Sequence, residues 1–162
     1  FMDIGLIDEA PVKMIGAQAT GCSPIATAWQ NETTNMPPVK PDTIAKSLAI
    51  GNPADGYYAL KTMEETGGGA TSASDPQIIE GIKLLAETEG IFAETAGGVT
   101  IAGLQLALEQ GQIDREKSTV VFITGGGLKT TDAIADHITK PIPVEGSLQS
   151  FEEAYAAAGI ED

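Results

Sequence analysis

The sequence predicts an α/β protein: a parallel sheet with helices on both faces. Two apolar runs, "VKMIGAQA" and "STVVFIT", are continuous rather than alternating, as strands buried on both faces are. Helical periodicity lies between them, clearest from Asp75 to Gly90, and helices interleaved with such strands imply a covered parallel sheet. Glycine is frequent (19 residues) and aromatics few (5%), a balance that suits tight strand–helix turns better than an all-β sandwich.

Along the chain, Phe1, Ile4, Leu6 and Ile7 read as the last turns of a helix, the alternative being a frayed end. Val12 to Ala19 is a buried parallel strand between Pro11 and Gly21. Ser23 is a candidate N-cap, with Pro24 at the first helical position, where its missing N–H costs nothing. Asn31 to Asp42 is a polar, proline-rich loop, and Asn52-Pro53 punctuates the segment after it. Ala54 to Glu65 is helical by the spacing of Tyr57, Leu60, Lys61 and Glu64, and Gly67-Gly68-Gly69 ends it. Ala70 to Ser74 is a short strand or loop.

Ser74 or Asp75 caps the clearest helix, Pro76 sits near its start, and Ile78, Ile79, Ile82, Leu85 and Ala86 form its apolar face. Gly90 falls where a C′ residue belongs. "IFAE" is a brief strand-like step. Val99 to Gln110, apolar on most sides, is a buried helix that Gly111 stops. Ser118 to Thr124 is a second buried parallel strand, rich in β-branched residues and running into Gly125-Gly126-Gly127. A final helix covers Leu148 to Ala158, with Ser147 or Ser150 as cap and Gly159 after it.

The 162 residues suffice for one domain with a core. The net charge of −14 repels phosphate backbones and anionic lipids, so neither nucleic acid nor membrane is an expected partner. Cys22 stands alone, which excludes an internal disulfide and fits a reducing compartment. No signal-peptide pattern is visible, and the longest apolar-rich stretch, Gly97 to Leu108, is too short to span a bilayer.

Ligands of open parallel sheets gather at the carboxyl ends of the strands, here Ala17 to Cys22 and Ile123 to Gly127. Three readings of "ITGGGLKT" stand side by side. A phosphate loop would need Lys directly after glycine, and Leu128 intervenes. A structural strand–helix turn is the second. The third is a Thr124 hydroxyl bonded to a heteroaromatic nitrogen, with glycines that let a flat ligand approach; spacing alone does not establish it. His137, the single histidine, has no second ligand type at metal spacing, so no metal is expected. Cys22 lacks a nearby base and reads as a small residue beside a cap. Glu64-Glu65 and Glu152-Glu153 read as solvated helix faces.

Four blocks in order, "PVKMIGAQATGCSPI", "PDTIAKSLAIGNPADGYYAL", "EGIFAETAGGVTIAGL" and "VVFITGGGLKT", resemble the C-terminal half of the threonine synthase family and cover most of Pro11 to Thr130. The related dehydratases and cysteine synthases carry Ser-Gly-Gly-Asn where this chain has Thr124-Gly125-Gly126-Gly127, so "IGNP" and "TGGGLK" favour threonine synthase.

The resemblance implies part of the large domain of a fold-type-II enzyme dependent on pyridoxal 5'-phosphate. It implies conversion of O-phospho-L-homoserine and water to L-threonine and phosphate, in the cytoplasm or, in a plant, the plastid. It assigns Thr124 to the pyridine nitrogen and Gly125 to the same rim. It places Ser47 and Ala49, in the loop Ala45 to Ile50, beside the ring, the alternative being a connection that faces away. It brings Glu94 near the cofactor, and Glu94 also suits a cap for the helix that follows; Thr95 stands where many relatives have proline.

In the family, the Schiff-base lysine and the Gly/Asn-rich phosphate loop precede this segment, and none of the eight lysines here sits in a matching context. The resemblance therefore implies that residues 1–162 form the C-terminal portion of one catalytic domain. No catalytic residue lies in this segment. Alone it is expected to be inactive and without bound cofactor, with the N-terminal half as its partner, and homo-oligomerisation is left open. A serine or threonine dehydratase-like lyase and a non-catalytic binding domain of the same fold are the alternatives.

Overall fold

The computed structural model describes residues 1–159. Strands β1 (Ile15–Ala19) and β2 (Gly69–Ala73) pair in parallel, Ile15 opposite Gly69 and Ala19 opposite Ala73. Helices α1 (Pro24–Gln30) and α2 (Gly56–Glu65) connect them, and α3 (Asp75–Glu89) and α4 (Thr95–Glu109) follow. The single turn α5 (Thr131–Ile134) and the helix α6 (Leu148–Ala157) complete the described chain. None of these helices is long and apolar enough to cross a membrane.

Side-chain alternation sorts the strands between two layers. Ala17, Ala19 and Ala73 join α3 and α4 in a core with Ile78, Ile79, Ile82, Val99 and Ala102. Ala70 joins α1 and α2 on the opposite face with Ala26, Ala28, Leu60 and Met63. Helices thus cover both faces of the pair, as the first apolar run predicts.

Close backbone approach explains the glycines of α3 and α4. A Cβ on Gly98 would stand 2.5 Å from Ile78 O, and one on Gly81 would stand 2.6 Å from Gly98 O. A Cβ on Gly103 would stand 2.7 Å from the Cβ of Ala17. Glycine inside a helix costs about 1 kcal/mol relative to alanine, so propensity places the start of α4 at Val99. The structure starts it four residues earlier, at Thr95, because close packing against α3 requires glycine there.

Local signals place the helix ends well. At the start of α3, the Ser74 amide donates to Gln77 Oε1 at 2.9 Å; at its end Gly90 adopts φ 68°. Gly111 ends α4 at the same φ, and the Ser147 hydroxyl accepts from Ser150 N at the start of α6. Ser23 holds the cap position of α1 without a capping side-chain bond. Gln18 does that work from β1: its Oε1 accepts from Ile25 N at 3.0 Å and Ala26 N at 2.9 Å.

Two expectations need correction. Ser118 to Thr124 is not a buried strand but an unpaired irregular segment. Val121 and Ile123 pack against Leu85, Ala93 and Ile101, whereas Val120 and Phe122 are 79% and 71% exposed. Its β-branched residues favour extended backbone, but a strand also needs a partner, and none of the described residues supplies one. Residues 1–7 form a turn in which Gly5 has φ 68°, with Phe1, Ile4 and Leu6 exposed, rather than helical turns.

Candidate functional site

The glycine turn is clamped to the entry of α4. Glu94 N donates to Gly125 O at 3.0 Å, Gly127 N to Phe92 O at 2.9 Å, and Thr95 N to Thr130 Oγ1 at 3.3 Å. These bonds fold residues 125–130 over Phe92 to Thr95, and a 3-10 turn, Gly127–Lys129, closes the loop. Because the free amides of a helix N-terminus need acceptors, Thr130 Oγ1 takes the Thr95 amide at the start of α4.

Glu94 is 8% exposed and occupies the N-cap position of α4, but its carboxylate caps no amide. It lies against Gly125, so the structure brings these two residues together. Thr95 is fully buried, and its Oγ1 has no hydrogen-bond partner among the described residues. Thr124, directly before Gly125, is exposed.

Ser47 and Ala49 lie in and just after a 3-10 turn, Lys46–Leu48, Ser47 exposed and Ala49 half-buried. No hydrogen bond joins either to Thr124 among the described residues. The base of their loop is anchored by a residue whose role the sequence did not signal. Asp75 accepts from Thr43 Oγ1 at 2.6 Å and from Ile44 N at 3.2 Å. Beyond the loop, Lys46 Nζ donates to Asp132 Oδ2 at 2.9 Å, across 86 residues of sequence. That bond, and then the lysine charge, hold the Asp132 carboxyl below its ordinary pKa.

The donor set at this rim is one a heteroaromatic nitrogen can use: Thr124 offers an exposed hydroxyl that can donate or accept, and Gly126 leaves open space beside it, while Glu94 fills the space beside Gly125. Among the described residues no group of three metal-ligating side chains is assembled. His137 is exposed and borders a shallow hollow with Ile44, Asp75 and Ala133. Cys22 is buried, and burial pushes its thiol pKa up, which disfavours the nucleophilic thiolate. Glu64, Glu65, Glu152 and Glu153 are exposed.

A sequence model of the family described as "Pyridoxal-phosphate dependent enzyme" matches residues 4–125. Threonine synthase of Methanocaldococcus jannaschii is 44% identical over 142 residues, a match covering 87% of this chain and 35% of that protein. Threonine synthase of Methanosarcina acetivorans is 35% identical over 155 residues, covering 95% of this chain and 38% of that one. Threonine synthase of Mycobacterium tuberculosis is 34% identical over 147 residues, covering 90% and 39%. The chain therefore spans little more than a third of these relatives. In fold it is similar to maize serine racemase, with a TM-score of 0.53 at 16% identity, over 78% of this chain and 39% of that one.

Proposed function

The chain belongs to the pyridoxal-phosphate dependent enzyme family, and from that premise we propose that it is the C-terminal portion of a threonine synthase. The complete enzyme converts O-phospho-L-homoserine and water to L-threonine and phosphate. Similarity to threonine synthases over most of this chain, at little more than a third of their length, supports the reading. The observation that carries the site is the clamp of the glycine turn on the entry of α4, beside the exposed hydroxyl-bearing Thr124.

When bound, pyridoxal phosphate supplies a sink for the electron pair released at the reacting carbon. Thr124 would donate a hydrogen bond from its hydroxyl to the ring nitrogen. A neutral donor cannot supply the counter-charge that a carboxylate would, so Thr124 keeps that nitrogen unprotonated and moderates the ring's electron withdrawal. Gly125 makes room for Glu94, which lies against the turn, Gly126 leaves the rim open, and Ser47 and Ala49 border the ring from the second loop.

The rest of the protein supplies the lysine that anchors the cofactor, the loop that cradles its phosphate, and a strand for residues 118–124. Exposed Val120 and Phe122 support that last assignment. The fold-type-II assignment and a cytoplasmic location, plastidic in a plant, belong to the same reading.

The complete protein is expected to release phosphate from O-phospho-L-homoserine. Ammonia release from serine or threonine instead would replace this reading with a dehydratase. Thr124→Asp should shift the cofactor absorbance and the product ratio, while Thr124→Ser should preserve both. An unchanged spectrum in the Asp variant would count against the assignment of Thr124.

A further inference from the structure

We propose that α5 is a strut that fixes the spacing between the glycine turn and the loop 45–50, with Ile134 as its buried anchor and Lys46–Asp132 as its exposed latch. Its mechanical part stands on contacts within this chain; its consequence for catalysis rests on the reading that both segments border the cofactor.

An isolated helix of one turn is unstable in water, so α5 exists only through what holds it. Three attachments do so. Thr130, at its N-cap position, accepts from Thr95 N at 3.3 Å and ties α5 to the entry of α4. Ile134, 4% exposed, enters the main core cluster, which also contains fully buried Ala45. Ile44, Leu48 and Ala133 pack against that cluster, so residues of α5 and of the loop are seated in one apolar body. Outside it, Lys46 Nζ reaches Asp132 Oδ2 at 2.9 Å.

Other attachments fix the ends of the loop, and its 3-10 turn also packs against α4. Asp75 holds Thr43 and Ile44, and Val39 N donates to Gly51 O at 3.0 Å. Between these ends, Lys46, Ser47, Leu48 and Ala49 take their position from α4, from Ala45 and Leu48 in the core, and from the latch. The glycine turn runs directly into α5, through Gly127–Lys129 and Thr130. A displacement of α5 therefore moves the turn and at the same time removes the supports that Ile134 and Asp132 give the middle of the loop. Ile134, Lys46 and Asp132 are positioning residues, with no contact to reacting atoms implied.

The test uses the complete protein, with and without pyridoxal phosphate. Ile134→Ala is expected to raise amide exchange in residues 45–50 and 127–134 together, leaving β1 and α3 protected, and Ile134→Val is expected to restore protection. With the cofactor bound, Ile134→Ala should shift its absorbance and lower kcat about tenfold to a hundredfold, the scale of small misplacements, with less change in KM. Lys46→Met and Asp132→Asn leave the core intact and should raise exchange in both segments about threefold to fivefold, as loss of an exposed ion pair allows.

Exchange that rises in 127–134 while 45–50 stays protected, in both the Ile134 and the latch variants, would overturn the strut. Coupled exchange with an unchanged cofactor signal would support the strut and count against the cofactor reading, which separates the two failures.

Discussion

The three consecutive glycines at the turn should respond differently to alanine, because only their surroundings differ. None of them has a positive φ, so alanine is allowed by backbone conformation at all three. At Gly126 a Cβ would meet nothing within 4 Å, and the backbone there is extended, φ −81° and ψ 144°. Gly126→Ala should therefore stabilise the chain by about 0.4–1 kcal/mol, by restricting the unfolded state. At Gly125 a Cβ would overlap the Glu94 carboxylate and stand 2.8 Å from its Cγ. Glu94 is 8% exposed as a residue, so relief requires swinging its side chain outward or breaking the Glu94 N to Gly125 O bond. Overpacking of this kind costs about 1–3 kcal/mol. At Gly127 the Cβ would sit 2.5 Å from the Phe92 ring, which is 41% exposed and free to swing outward, so the loss should be about 1 kcal/mol. Urea unfolding of the three variants gives the order directly. Equal losses at Gly125 and Gly126, or a loss at Gly126 alone, would refute the reasoning.

Further outcomes follow from the same contacts. Gln18→Ala orphans the amides of Ile25 and Ala26 and should cost about 1–2 kcal/mol, whereas Gln18→Glu keeps both bonds and adds a favourable charge at a helix start. Equal unfolding midpoints for these two variants would show that the bonds contribute nothing. Asp132 should titrate below an ordinary aspartate, and Lys46→Met should return its NMR midpoint upward; an unmoved midpoint would remove Lys46 as the cause. Since the folded-state pKa is lowered, this pair's contribution to stability is present above the unfolded-state value and is lost as pH falls through the folded one.

The sequence reveals the start of α3 because Ser74, Pro76 and Gln77 act within a single turn. It reveals the left-handed ends at Gly90 and Gly111 for the same reason. The cap of α1 is hidden from it: Ser23 has the right residue type in the right place, but Gln18 reaches across from β1 and takes the amides. Among the site residues, the pairing of Gly125 with Glu94 appears only after folding, since 31 positions separate them. Asp75 shows no local sign of binding Thr43 and Ile44.

By itself, the sequence determined the fold class, the order of most elements and the likeness to threonine synthases, because apolar periodicity, caps and blocks of motif are properties of neighbouring residues. Tertiary structure decided where α4 begins: Gly98 lets α3 approach and Gly97 lets Ala93 and Ile123 approach, and that packing outweighs the helix penalty of the two glycines. It also decided that Ser118 to Thr124 is not a strand here, although its residues favour extension. Extended backbone is a local preference; sheet membership is a pairwise one, satisfied only by a second chain segment at hydrogen-bonding distance.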